Sequence, residues 1–149
     1  MQIQRLLPAI CAVLLLPGCV GFQQKWLAAQ IEHKPPHEDI QGAWIGSWTS
    51  GHNGHNGKLR CVITKTGQGR YEFFYWATWA RVISGGFTIE CEVEETDGQY
   101  QFTGDMDLGK LGGEFTHEGK GSGEVLEATW RARSGDHGTF ELRRPDTEE

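Results

Sequence analysis

The chain has 149 residues, the length of a single domain, and 38% hydrophobic content with six Trp, seven Phe and three Tyr is enough to fill a compact core. A formal charge of -6 with scattered Lys and Arg argues against nucleic acid, whose binding depends on neutralising phosphates. Twenty-one glycines in turn-like contexts favour many short strands over helices.

The first residues read as an address. Arg5 supplies a short positive region, and Leu6 to Leu16 is an apolar run of signal-peptide length, too short to span a bilayer. Leu16-Pro17-Gly18-Cys19 follows and resembles the bacterial lipobox, in which a small residue precedes a Cys that is lipidated and becomes the mature N-terminus. The resemblance implies a signal peptide over 1–18 and a lipid anchor, palmitate included, on Cys19. Val20 stands where Asp would retain such a protein in the inner membrane, which implies outer-membrane sorting facing the periplasm. Residues 19–40 then read as the lipidated Cys and a tether. Its 21 residues from 20 to 40 reach roughly 70 Å extended and about 25 Å as a coil. Phe22 to Lys34 is rich in helix formers, with Phe22/Trp26 and Leu27/Ile31 as i, i+4 pairs and Pro35-Pro36 as a stop. Such a helix fits a membrane surface or the end of the domain, and a loosely ordered stalk is the plainer alternative.

From residue 41 the pattern is runs of six to twelve residues separated by turn chemistry, predicting eight strands near 42–49, 57–66, 70–79, 86–95, 98–107, 113–119, 124–132 and 137–144. Alternation sets the faces. Trp44, Gly46 and Trp48 share one side of the first strand, and Tyr71, Phe73, Tyr75 and Trp79 one side of the third. Phe87, Ile89, Cys91 and Val93 oppose Glu90, Glu92 and Glu94. Tyr100, Phe102 and Met106, then Leu126, Ala128, Trp130, Phe140 and Leu142, continue the apolar set. One apolar face per strand over a long meander predicts an all-β, eight-stranded antiparallel up-and-down barrel, with a two-sheet sandwich as the alternative. Phe74 and Trp76 fall on the opposite face, where exposure would make an apolar contact patch. Cys61 and Cys91 lie on the second and fourth strands. Strands two apart are about 9–10 Å from each other, beyond the ~7 Å limit for a disulfide, so two buried free thiols are expected.

Gly42-x-Trp44-x-Gly46-x-Trp48 resembles the Gly-x-Trp start of lipocalin-type barrels, and Gly138-Thr139-Phe140-Glu141-Leu142-Arg143-Arg144 is similar to the final strand of small bacterial lipocalin-like domains. The resemblance covers residues 41–145, with 146–149 left as an acidic tail. It implies that Trp44 packs at a closed end against Arg143 or Arg144.

Alternating strand directions sort the links into two ends. Compact Gly-rich turns (66–69, 96–98, 119–123) take one; 50–57, 80–85, 108–112 and 133–136 take the other. That second end gathers His52, Asn53, His55, Asn56, Arg81, Lys110, Arg133, Asp136 and His137, with Trp48 and Trp79 below. Closing the barrel sets the twice-repeated His-Asn-Gly loop against Asp136-His137-Gly138. Barrel mouths and their loops are where ligands bind.

Several chemistries can be weighed there. His52, His55 and His137 with Asp136 could ligate zinc, yet Asn-Gly is also the leading hairpin turn. His137, or His117 if it turns inward beside Phe115, could ligate haem, though the chain has no c-type attachment motif. Ser50 or Ser134 with a rim His and Asp136 makes a hydrolase only on paper, for no Gly-x-Ser-x-Gly elbow exists. Asp105 and Asp107 share an outward face and read as a solvated pair. The reading is therefore a non-enzymatic protein without a cofactor, binding a small apolar or amphipathic ligand through a barrel mouth. A cell-envelope interaction module with a filled core and an unknown protein partner is the competing class.

Overall fold

The computed structural model describes residues 17–107 and 113–146, and of residues 17–19 the backbone alone. The expected signal peptide up to residue 16, the Cys19 side chain, Lys110 and the end of the acidic tail lie outside the described residues. One helix, α1 (Pro17–Glu32), precedes eight strands: β1 (Gly42–Ser50), β2 (Asn56–Gly67), β3 (Arg70–Trp79), β4 (Ile83–Thr96), β5 (Gln99–Asp107), β6 (Glu114–Gly121), β7 (Val125–Ala132) and β8 (His137–Arg143). The strands pair in sequence order and close, β1 against β8, into an antiparallel up-and-down barrel. Among the described residues no helix is long and apolar enough to cross a membrane.

Alternation decides what goes inside. In β3, Tyr71, Phe73, Tyr75 and Ala77 are buried between half-exposed Glu72, Phe74 and Trp76. Ile89, Cys91 and Val93 of β4, Tyr100 and Phe102 of β5, Leu126 and Ala128 of β7, and Phe140 and Leu142 of β8 complete the core. Removing each large ring from water contributes about 2–3 kcal/mol; closure pairs every strand on both sides, β4 and β5 meeting only over Glu92–Thr96 and Gln99–Thr103.

β4 begins at Ile83, three residues earlier than the sequence predicts, because Gly85 and Gly86 continue the ladder opposite Ala77 and Trp76. A Cβ on Gly86 would come within 2.9 Å of the Trp76 ring and 3.0 Å of the Phe74 ring. A glycine pair that looks like a turn is here the floor beneath two aromatic side chains.

Those rings are covered, so they do not make the apolar patch that exposure would have given. Phe22, Trp26 and Ala29, one face of α1 at helical spacing, are buried with Ala43 and Val62 against Ile45, Phe74 and Trp76. Phe22 sits edge-on to Phe74 at 5.0 Å and beside Trp76 at 5.5 Å. Arg60 lies over both Phe22 and Trp26, and Lys25 reaches Glu72 at 2.8 Å. The helix is thus a strut on the barrel wall, neither a plug at its end nor a free stalk. The outward stripe of β1 to β3 is apolar, and covering it stabilises the sheet and the helix together. Leu27 and Ile31, on the other side of α1, remain exposed.

One end of the barrel is sealed by the chain crossing from α1 into β1. Ile40 is fully buried, and its carbonyl accepts the indole N–H of Trp44 at 2.9 Å. Over that indole, 3.9 Å from the ring centre, lies the guanidinium of Arg144. Arg144 donates to the carbonyls of Gly123, Gln41 and Asp39, each at 2.7 Å. Arg143 instead points outward to Asp146, which settles which arginine meets Trp44. Burial lowers the Arg144 pKa to about 10, and the group stays cationic at neutral pH.

Candidate functional site at the open mouth

Among the described residues, the opposite end is built from three connections. The β1–β2 loop, residues 51–55, is organised by Ser50, whose Oγ accepts from the N–H of His52 and Asn53 and lies 3.4 Å from Asp136 Oδ1. Asn53 Oδ1 accepts the His55 N–H at 3.0 Å, an Asx turn that fixes the loop's return. The β7–β8 turn meets this loop as closure requires: the Gly51 N–H donates to the His137 carbonyl at 2.8 Å. The β3–β4 connection, Ala80 to Val82, is the third described part of the rim.

Below the rim is a cavity of about 580 Å³. Its walls carry Trp48, Trp79, Phe87, Met106, Phe115, Trp130 and Phe140, and Ile89 and His117 lie deeper. Two glycines make room for the largest side chains. Trp48 reaches across Gly57 of β2 to donate its indole N–H to the Thr78 carbonyl of β3 at 3.1 Å; a Cβ at Gly57 would stand 2.6 Å from that nitrogen. A Cβ at Gly138 would likewise strike the Trp130 ring at 2.6 Å. Trp130 Nε1 is buried and has no hydrogen-bond partner among the described residues. A buried indole N–H ordinarily finds an acceptor, and leaving one without costs about 1–3 kcal/mol.

The floor is polar in composition but uncharged. His117 is 1% exposed, with Nε2 2.9 Å from the Tyr75 hydroxyl and Nδ1 3.7 Å from Cys91 Sγ. Phe73, Phe102, Phe140 and Tyr75 surround the imidazole. Burial pushes the His117 pKa down to about 4 and holds the Tyr75 hydroxyl well above its usual value. Burial also raises Cys61 far above the ordinary thiol and Cys91 to about 12. Both thiols are free and buried, as their strands' separation predicts. Hydroxyl, imidazole and thiols therefore form a neutral set at physiological pH.

Of the residues singled out from the sequence, Trp48, Asn53, His55, Trp79 and Asp136 line the cavity. His52, Asn56, Arg81 and His137 do not; all four are exposed at or outside the rim. His137 folds back over Gly51, with Nδ1 3.2 Å from the Gly135 carbonyl. Among the described residues no group of three or more His, Cys, Asp or Glu is placed to hold a metal ion. Both ring nitrogens of His117 already face protein partners. Ser50, which the sequence offers only as one of several rim hydroxyls, is the hub of the rim. Its position at the end of a strand, immediately before a polar loop, is the local signal for that role.

No protein-family model matches the chain, and no curated protein does. Solved structures resemble it in fold. A de novo designed fluorescence-activating β-barrel is 15% identical with a TM-score of 0.52, over 72% of this chain and 95% of that one. A redesigned barrel, mFAP1, bound to DFHBI, is 14% identical with a TM-score of 0.52, over 70% and 94%. Rv2717c from M. tuberculosis is 12% identical with a TM-score of 0.51, over 79% and 98%. At these identities the likeness is one of architecture: this chain is a closed small β-barrel.

Proposed function

We propose that the protein is a lipoprotein, anchored to the outer membrane through Cys19 and facing the periplasm, whose barrel mouth binds a small apolar or amphipathic molecule. The observation that carries the binding reading is the aromatic cavity of about 580 Å³, with a buried, unpartnered Trp130 N–H in its wall. Pockets of roughly 300–1,000 Å³ with few polar groups suit small ligands. The neutral floor favours an uncharged portion inside, and Ser50, Asn53, His55 and Asp136 at the rim suit a polar end. The same architecture holds DFHBI in mFAP1, which supports the use of such a mouth for a small compound.

Native mass spectrometry of detergent-free protein and titration with a hydrophobic fluorescent dye test the binding. A retained small molecule, or dye enhancement reversed by lipid, is the expected result. Protein mass alone with no dye response would replace the binder with an envelope interaction module. Ala77, buried in the cavity wall, gives the variant control. Ala77→Phe fills the space and is expected to weaken dye binding at least tenfold, about 1.4 kcal/mol, with the far-ultraviolet spectrum retained.

The anchor has its own test. Cys19→Ala is expected to move the protein from the membrane fraction to the soluble fraction; unchanged retention would refute lipidation at Cys19.

A further inference from the structure

The packing of α1 gives any anchor at Cys19 a direction. Phe22 meets Trp76 and Phe74, Lys25 pairs with Glu72, and His33 lies beside Gly42 at the sealed end. Along β3, Glu72, Phe74 and Trp76 climb toward the mouth. The helix therefore points its N-terminus at the mouth and its C-terminus at the sealed end. Cys19 stands three residues before Phe22, about 5 Å further up at 1.5 Å per residue. That places the start of α1 near the level of Thr78, two strand residues or about 7 Å above Trp76.

Among the described residues, exposed large apolar side chains lie along α1 (Val20, Leu27 and Ile31), at Val125 by the sealed end, and together on one hairpin tip at the mouth. Val82 is 86% exposed and Ile83 61%, both at the tip of the β3–β4 hairpin with half-open Trp79. Ala80 and Arg81 hold left-handed backbone, φ 47° and 67°, unusual for residues with a Cβ, and present Val82 to solvent. Val20, in the first turn of α1, is also exposed. Arg81 occupies the hairpin tip, whereas the acidic residues of the mouth, Asp105, Asp107, Glu114 and Asp136, stand on other strands and turns.

We infer that the mouth rests on the bilayer surface, with the β3–β4 tip dipped into the headgroup region, so that ligand enters the barrel from the membrane. The inference rests on the anchoring at Cys19 proposed above. The lipid on Cys19 reaches the domain toward the mouth, and α1 docks on the wall through Phe22, Trp26 and Ala29. The anchor therefore has only the few residues before Phe22 as slack. Trp at the interface, Val and Ile below it and Arg81 against anionic headgroups fit the chemistry of that layer.

Full-length lipidated protein with V82C, labelled with a polarity-sensitive nitrobenzoxadiazole probe, is incorporated into phosphatidylethanolamine and phosphatidylglycerol vesicles; Cys61 and Cys91 are buried from the reagent. A D97C label reports the sealed end. The V82C probe should shift to the blue and be quenched by doxyl-labelled lipid several-fold more than the D97C probe. Water-like emission from both labels in protein that floats with the vesicles overturns the orientation and leaves the anchor standing. Protein that fails to float overturns both.

Discussion

Arg144→Met is expected to destabilise the barrel by about 3–5 kcal/mol, since three charge-assisted hydrogen bonds of about 1.5–3 kcal/mol each are lost together and do not add in full. The variant strips three carbonyls, those of Gly123, Gln41 and Asp39, of a shared donor and removes the cation stacked on Trp44. These groups belong to three separate segments: the β6–β7 turn, the approach to β1 and the end of β8. Losing the guanidinium therefore unfastens the sealed end as a unit. Thermal unfolding followed by circular dichroism reads the effect as a fall of about ten degrees or more. Arg143→Ala is the contrast, since its ion pair with Asp146 is exposed and worth under about 1 kcal/mol. Equal losses from the two variants would refute the assigned role of Arg144.

The second large effect is on the acid limb of stability. His117 titrates near 4 in the fold against 6.5 when exposed. Above about pH 6.5 both folded and unfolded chains hold it neutral, and the stability it permits is fully present. As pH falls from about 6.5 to 4 the unfolded chain binds a proton that the folded chain refuses. Stability then declines by about 3 kcal/mol, at about 1.4 kcal/mol per pH unit, and levels off below pH 4. In His117→Gln the amide can still meet Tyr75 and Cys91, and this part of the decline should vanish. Urea unfolding of both proteins at a series of pH values measures the difference. Parallel curves would mean that His117 is not the group responsible.

Much of the architecture is legible in the chain because alternation writes both the strand and its inward face. Tyr71, Phe73 and Tyr75 announce β3 unaided, and closure then forces β8 beside β1, which brings Asp136 to Ser50. The helix is harder. Phe22/Trp26 and Leu27/Ile31 are equivalent i, i+4 pairs in one dimension. What separates them is the outward stripe of Ala43, Val62, Phe74 and Trp76, spread over three strands whose register no local pattern reveals. The cavity is harder still. Whether aromatic rings meet or leave space depends on where the tilted strands put glycines such as Gly57 and Gly138, a sum over the whole circumference. The rim residues outside the cavity show the same limit: sequence places Arg81 and His137 at the correct end but cannot say which way each side chain turns.

The strict neighbour order of the strands bears on how the chain reaches this state. Seven of the eight pairings join strands adjacent in sequence and close short loops. The eighth joins Gly46 to Leu142 across almost the entire domain. Local hairpins form in microseconds, while the entropy of bringing distant segments together loads the last step. Pairing β1 with β8 therefore carries the largest closure cost in the fold, and Arg144 stacked on Trp44 fastens that seam at the sealed end.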